Sequence, residues 1–252
     1  MLENADTAFG PAAWVWSHGE GRRYNDWAQF RLTFDWDGAA TVDLVLTADS
    51  RYRLWVNGQP AGDGPVRGWP NHYFYDCRAI ADHLRAGANE IRVAVQHYGG
   101  SSFHLVPQKG GFRAALWIES KLAAHTGDGH WQVAELPEQP AAAPRISVQM
   151  PPFEIFDARL TKAPVWRAPE VLPVPQPWRV ERLRDVVEPV REWVPAPAPV
   201  AVRRLAATPQ VSAIPILQLL YPGRVREVIQ RSHACALAAV AEVAEAGTFR
   251  WH

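Results

Sequence analysis

The sequence has few cysteines, no excess of charge and no long apolar run. Its two cysteines, Cys77 and Cys235, lie 158 positions apart, so neither a disulfide framework nor a cysteine metal site is expected. Lys plus Arg number 26 and Asp plus Glu also number 26. This balance argues against nucleic acid or an anionic membrane surface as a partner. No stretch approaches the roughly 18 to 20 apolar residues that a membrane helix needs.

The first residues, MLENADTAFG, contain neither the basic nor the apolar region of a secretory signal. We therefore expect a cytoplasmic protein, although a chain trimmed of its signal would give the same pattern. The twelve tryptophans are the compositional outlier, and eight of them precede residue 136. Such a concentration favours a β-rich core or a surface that stacks on flat ligands.

Residues 1–136 have the alternating pattern of short strands. Apolar residues recur at every second position in five segments, which are WAQFRLTFDW, TVDLVLTA, RYRLWVNG, EIRVAVQH and FRAALWIES. Asn57-Gly58 tolerates positive φ and predicts a tight hairpin turn. One short helical turn is expected near residues 79–84, ended by Gly87 and Asn89. Many short strands separated by Gly and Pro predict an antiparallel β-sandwich or jelly roll.

The composition changes after residue 136, because residues 137–215 hold sixteen of the 22 prolines. Proline removes strand donors, so residues 137–210 are predicted to be a connector with short strands that pack on the sandwich, for example near FEIFDARL. A flexible linker would have the same composition. Residues 211–252 are predicted to be a helical segment, since Val225, Ile229, Ala236, Val240 and Val243 share one helix face and Gly247 is a plausible stop. An alternative is that this segment begins a further domain.

Several segments in order resemble a known enzyme family. They are WVWSHGEG, FRLTFDW, ADSRYRLWVNGQPAGDGPVRG and YFYDCRAIADHLRAGANEIRVAVQHYG, followed by GHWQVAE and FEIFDARL. The pattern VNG…G…L-x-x-G-x-N-x-I-x-V also occurs in sugar-binding-like sandwiches of β-galactosidases. Three further motifs make the resemblance more specific to one family. They are Gly64-Pro65 after the hairpin, His97-Tyr98-Gly99 and Asp157-Ala158-Arg159. Together they are similar to the N-terminal sandwich of bacterial α-L-rhamnosidases of glycoside hydrolase family 78.

The resemblance implies a galactose-binding-domain-like sandwich that is followed, in the whole enzyme, by an (α/α)₆ barrel with the catalytic carboxylates. Such enzymes hydrolyse terminal α-L-rhamnose with inversion, using an acid and a base roughly 6.5 to 9.5 Å apart. The barrel needs far more helical sequence than this chain has. No catalytic residue is therefore carried over, and the chain alone is expected to be inactive. The implied partners are the downstream catalytic domain and, through the full-length enzyme, rhamnosides.

Other chemistries have weaker support in the sequence. Four acidic residues lie near turns or strand ends, namely Asp26, Asp63, Asp76 and Glu90. Their spacing in the sequence gives no evidence that any two of them lie close together. Asp157 is expected to pair with an arginine. The histidines lack metal-ligand spacing, Ser101-Ser102 near His104 lacks a nucleophile elbow, and the glycine clusters lack a phosphate-binding context. We therefore predict no metal and no cofactor.

The aromatic residues are the most informative candidates for a site. Trp55 is out of phase with Tyr52, Leu54 and Val56, so it is predicted to lie on the opposite face of the sheet. The candidate sugar-contact or domain-interface residues are Trp55, Trp69, His72, Tyr73, Tyr75, His97, Tyr98 and His104. The sequence does not decide whether these side chains pack against neighbouring domains or stack on a sugar. A stand-alone carbohydrate-binding module and a non-catalytic scaffold are the alternative functions.

Overall fold

A computed structural model describes residues 4–18, 23–103, 105–106, 108–145, 147, 149–173 and 178–186, and the backbone of residues 201–204 and 235–238. The chain divides into two compact units, Met1–Val186 and Val187–His252. None of the helices in the described part is long and apolar enough to cross a membrane. The first unit is mainly β, as predicted.

The helices and strands follow the alternation of the sequence. In chain order they are α1 (Ala5–Phe9), β1 (Val15–Trp16), β2 (Asp26–Trp36), β3 (Val42–Asp49), β4 (Arg51–Val56), β5 (Gln59–Gly64), β6 (Tyr73–Ala79), a 3₁₀ helix (Ala81–His83), β7 (Gly87–His97), β8 (Gly111–Ile118), β9 (Lys121–His125), β10 (Gln132–Glu135), a second 3₁₀ helix (Ala158–Leu160), β11 (Glu170–Val171), β12 (Val180–Leu183), β13 (Ala201–Arg204) and β14 (Cys235–Ala238).

Two sheets form the sandwich of the first unit. The seven-stranded sheet has the order β11-β1-β8-β3-β6-β12, and β9 pairs with β8. The five-stranded sheet has the order β10-β2-β7-β4-β5. The pairs are antiparallel except β12, which runs parallel to β6. The predicted antiparallel β-sandwich is confirmed.

The core lies between the two sheets, where the apolar members of each alternating strand meet. Phe30 of β2 stacks on Phe112 of β8 with ring centroids 4.5 Å apart, and Phe112 meets Trp131 edge to face. Fully buried aliphatic side chains from both sheets surround these rings, namely Leu32, Leu44, Leu46, Leu54, Val56, Ile91, Val93, Val95 and Leu116. Burial of this apolar surface is the main stabilising contribution to the fold.

The outer faces of the two sheets differ. Helix α1 covers the outer face of the seven-stranded sheet, where Phe9 packs edge to face on Tyr75. Asn4 caps this helix, since its Oδ1 accepts from the backbone N–H of Asp6 and Thr7. On the five-stranded sheet, the outward positions of β2, β4 and β7 carry polar and charged side chains together with Trp55.

The segment after residue 136 completes the sandwich. Arg167 exchanges two backbone hydrogen bonds with Val133, and β11 pairs with β1. Leu172 and Trp178 are both buried in the core, where the Trp178 ring stacks on Trp14 at 4.1 Å. The first compact unit therefore extends to Val186, beyond the sequence boundary at residue 136. The FEIFDARL segment contains a 3₁₀ helix in place of the suggested strand.

The second unit is described by two strands. Ala201–Arg204 and Cys235–Ala238 pair antiparallel. Cys235–Ala238 lies inside the stretch predicted to be helical, so this part of the prediction is corrected. The run CALA is short and apolar, and periodicity alone does not separate a strand from a helix in such a run. The remainder of the predicted helix lies outside the described residues.

Candidate functional site

A cavity of about 530 Å³ opens on the outer face of the five-stranded sheet. Its lining combines one aromatic ring, two amides, one carboxylate and two guanidinium groups. The residues are Gln29, Trp55, Asn57, Gly58, Arg85, Glu90 and Arg92. This volume falls within the range of about 300 to 1,000 Å³ that is usual for small-molecule sites.

Strand alternation and register bring these side chains together. Trp55 of β4 lies directly opposite Arg92 of β7 in the antiparallel pair. On the other side of β7, Thr33 of β2 is opposite Glu90, and Gln29 is opposite Ala94. Because side chains alternate between faces, Trp55, Gln29, Glu90 and Arg92 all point away from the core. Trp55 is half-buried, and its predicted place on the face opposite Leu54 is confirmed.

The hairpin turn forms one end of the cavity. Asn57 and Gly58 have φ values of 49° and 78°, as a type I′ turn requires. The Asn57 Nδ2 donates to His83 O at 2.9 Å and to Asn89 Oδ1 at 2.8 Å. The backbone N–H of Glu90 donates to Asn57 Oδ1 at 3.0 Å. The hairpin turn at Asn57 and the segment that contains Asn89 and Glu90 both belong to the family resemblance. Hydrogen bonds join them and hold the cavity wall in place.

Ion pairs orient the charged side chains. Arg92 Nε donates to Glu90 Oε1 at 2.6 Å, and Arg92 NH2 donates to Glu90 Oε2 at 3.3 Å. Arg31 NH1 lies 3.9 Å from Glu90 Oε2. The Trp166 ring lies 4.3 Å from the Arg31 guanidinium and 5.9 Å from that of Arg92. Stacking of this kind limits the rotation of both arginines.

The structure separates the aromatic and histidine residues selected from the sequence. Trp55 lines the cavity, whereas Trp69 is 61% exposed and faces His72 across a turn. Tyr73, Tyr75, His97 and Tyr98 are buried, with at most 7% of each exposed. The described candidates therefore do not line one edge. His104 lies outside the described residues.

The buried candidates have structural partners. Tyr73 donates its hydroxyl to Ala48 O at 3.1 Å, and burial, followed by the charge of Asp49, raises its pKa well above the usual value. The backbone N–H of Tyr98 donates to Ser50 Oγ. His97 contacts Asp49. The candidates were chosen from the sequence because they are aromatic or histidine residues near strand ends. Buried and exposed residues both meet this criterion, so the prediction placed them in one group.

The acidic residues considered from the sequence are bound by basic or donor groups. Asp26 Oδ2 accepts from Trp16 Nε1 at 3.0 Å and lies 2.6 Å from His18 Nε2. Asp76 is buried against Tyr52 and Arg184. Asp157 pairs with Arg159 at 2.6 Å, so this prediction is confirmed. Within the described ranges, no group of three or more His, Cys, Asp or Glu side chains could hold a metal ion.

Sequence reasoning missed most of the cavity. Gln29, Arg85, Glu90 and Arg92 were not chosen as binding residues, although each occupies an outward or turn position next to an apolar strand residue. The alternation of β2 and β7 shows which of their polar residues point outward, and this could have identified Gln29, Glu90 and Arg92 as surface residues. The alternation does not show that β4 pairs with β7, because these strands are separated in sequence.

Comparison with known proteins connects this fold with an enzyme family. The family 78 rhamnosidase of Bacillus sp. GL1 is 31% identical, with a TM-score of 0.67 over 79% of this chain and 22% of the enzyme. The resemblance to family 78 rhamnosidases is confirmed. The α-L-rhamnosidase of Dictyoglumus thermophilum shares the fold at 14% identity, with a TM-score of 0.52 over 77% of this chain and 24% of that chain.

The rhamnosidase match concerns only a part of each enzyme. The chain spans about a fifth of the length of the Bacillus rhamnosidase, which is consistent with an N-terminal β-sandwich region. No protein-family model matches the chain, and no curated protein sequence matches it. The chain is thus a β-sandwich similar to part of a glycoside hydrolase.

Proposed function

We propose that this chain is the non-catalytic N-terminal portion of an α-L-rhamnosidase-like glycoside hydrolase. The full-length protein would hydrolyse terminal α-L-rhamnose from glycosides by an inverting mechanism. The observation that carries this proposal is the 31%-identical match to a family 78 rhamnosidase, which covers 79% of this chain but 22% of the enzyme. The remaining four-fifths of such an enzyme has ample length for a catalytic domain.

The chemistry of the described acids supports the non-catalytic assignment. An inverting glycosidase holds an acid and a base about 6.5 to 9.5 Å apart on opposite faces of the sugar, with room for a water molecule. Asp26 and Glu90 are instead engaged by His18 and Arg92, and Asp76 is buried against Arg184. Each of these carboxylates is held by a protein side chain, which is the arrangement of a structural acid.

The sandwich would then support the catalytic domain. The exposed apolar side chains of Phe103, Phe153 and Phe156, which are 70%, 42% and 60% exposed, offer surface for a neighbouring domain of the same protein. Burial of one such ring contributes roughly 1.5 to 3 kcal/mol. The downstream domain is therefore the proposed macromolecular partner.

Activity measurements test the proposal directly. The 252-residue chain and the product of the complete coding sequence are each assayed on a chromogenic α-L-rhamnoside. We expect turnover only with the longer product, and inversion at the anomeric carbon when the released sugar is followed by NMR. Clear turnover by the 252-residue chain contradicts the assignment.

The alternative is a stand-alone carbohydrate-binding module, which the cavity at Trp55 favours. It predicts a natural stop codon after His252 and no rhamnosidase activity from the complete coding sequence. A scaffold without sugar affinity predicts the same stop codon, but no sugar would change the melting temperature.

A further inference from the structure

We propose that the cavity on the outer face of β2, β4 and β7 is a binding site for a neutral sugar ring. The ring would lie on the Trp55 indole, with hydroxyls bound by Gln29, Glu90, Arg85 and Arg92. The choice of rhamnose as first ligand rests on the proposed function, whereas the site itself rests on the geometry of the cavity. The sandwich would then contact carbohydrate directly, in addition to supporting a catalytic domain.

The first argument concerns the tryptophan rings. Trp14, Trp16 and Trp178 pack on other rings, and Trp27, Trp36 and Trp117 donate their indole N–H to protein oxygens. Among the described residues, Trp55 has neither a ring partner nor an acceptor for its N–H. It is half-buried at the wall of a cavity, so a ligand that stacks on it would complete its contacts.

The second argument concerns the polar groups around this ring. A sugar hydroxyl both donates and accepts, so its site needs acceptors and donors at short range. Glu90 uses its carboxylate for Arg92 but retains further acceptor positions, and Arg92 retains N–H donors beyond its two contacts to Glu90. Gln29 contributes an amide of either polarity. An aromatic face beside mixed donors and acceptors matches the two surfaces of a sugar ring.

The charges favour a neutral ligand. Arg92, which lies directly opposite Trp55, is paired with Glu90, so the groups beside the indole carry no net charge. Arg85 adds one positive charge to the lining, which disfavours a cation. The site is also preorganised, because Asn57 is fixed by three side-chain hydrogen bonds and Arg92 is held by Glu90 and Trp166. Preorganised groups lose little conformational freedom when a ligand binds.

Binding is measured with the full 252-residue chain by isothermal titration calorimetry and by tryptophan fluorescence. The probes are L-rhamnose, methyl α-L-rhamnoside, D-galactose and D-galacturonate. We expect saturable binding of at least one neutral sugar, and the uronate tests whether a negative charge is required. Trp55→Ala should weaken the affinity about tenfold or more, while Trp55→Phe, which retains an aromatic face, should lose less.

Trp69→Ala is the matched control, since the Trp69 ring is exposed to solvent but does not line the cavity. Its affinity should equal that of the unmodified chain. The inference is overturned if no neutral sugar binds, if only the uronate binds, or if Trp55→Ala leaves the affinity unchanged. It is also overturned if Trp69→Ala weakens binding as much as Trp55→Ala.

Thermal unfolding of each variant verifies that it is folded. Gln29→Ala tests the site without altering an aromatic residue, and it should also weaken binding. These results are independent of the rhamnosidase assay. A chain that fails to bind sugar can still belong to an active full-length enzyme, and a sugar-binding chain can come from a protein without rhamnosidase activity.

Discussion

His97 Nδ1 lies 3.0 Å from Asp49 Oδ1, and both side chains are completely buried. Asp49 ends β3 of the seven-stranded sheet, whereas His97 ends β7 of the five-stranded sheet. The other oxygen of Asp49 accepts from Trp178 Nε1 at 2.8 Å. One carboxylate thus connects the two sheets with Trp178 of the proline-rich part of the chain.

Asp49→Ala should be strongly destabilising. It leaves the imidazole of His97 and the indole N–H of Trp178 without their acceptor inside the core, and we expect a loss of about 3 kcal/mol or more in the free energy of unfolding. Urea denaturation measures this value. Asp35→Asn, at an exposed position of β2, is the control and should change stability by less than about 0.5 kcal/mol. Equal effects of the two substitutions would contradict the role of Asp49.

Gly99→Ala should cost more than Gly58→Ala, although both glycines have positive φ. A Cβ at Gly99 would lie 2.5 Å from the backbone oxygen of Arg23 and 2.7 Å from the Cα of Tyr24, whereas a Cβ at Gly58 meets nothing within 4 Å. Gly58→Ala therefore reports conformational strain alone, about 1 to 2 kcal/mol. We expect the clash at Gly99 to add about 1 to 3 kcal/mol. Differential scanning calorimetry compares them, and equal losses would exclude a steric role.

The buried tyrosines should make the fold sensitive to alkali. Burial raises the pKa of Tyr52 and of Tyr73 well above 10.0, and the charges of Asp76 and Asp49 add to the respective shifts. The unfolded chain then releases phenolic protons that the folded chain retains, so the contribution of these two tyrosines to stability is constant below about pH 9 and is lost as the pH rises past 10. Urea midpoints measured across this range test the slope, which Tyr52→Phe and Tyr73→Phe should each reduce. A slope that neither substitution changes would contradict this origin.

Cys77 should react slowly with alkylating reagents. Burial, followed by the charges of Asp43 and Asp76, raises the pKa of its thiol from 9.0 to about 11. At about pH 8 the thiolate fraction is then about 100-fold lower than at an ordinary cysteine. Peptide mass spectrometry after iodoacetamide treatment gives the rate at Cys77, and the same thiol in the urea-unfolded chain is the control. Rates within a few-fold of each other would show that the thiol is not shielded.

A chain truncated after residue 136 should not fold as stably as one that ends at Val186. The truncation removes Leu172 and Trp178 from the core and the backbone pairing of Arg167 with Val133. Loss of one buried tryptophan costs about 3 to 5 kcal/mol. Circular dichroism during thermal unfolding measures the difference. Equal midpoints would mean that residues 137–186 are dispensable.

The long strands could be predicted because their alternation is local. β2, β3, β4, β7 and β8 each repeat an apolar residue at every second position, and Asn57-Gly58 specifies its own turn. The helix Ala5–Phe9 was missed, since five residues are too few to show helical periodicity. The pair Glu170–Val171 is likewise too short to show alternation, and its partner lies more than 150 positions earlier in β1.

The cavity could be predicted only in part. Trp55 was placed on the outward face by its phase, but its neighbour Arg92 depends on the pairing of β4 with β7. The segment between these strands contains β5 and β6, and alternation does not reveal which strands become neighbours. Tyr75 was misleading for a related reason, because the outward face of its sheet is covered by α1.

The position of α1 has a practical consequence for handling the protein. The N-terminal helix lies on the back of the seven-stranded sheet, and the Trp55 cavity opens on the opposite side of the sandwich. An affinity tag or fluorophore added before Asn4 would therefore be remote from the cavity. Attachment of the chain to a sensor surface through its N-terminus would leave the tryptophan face directed toward the solution.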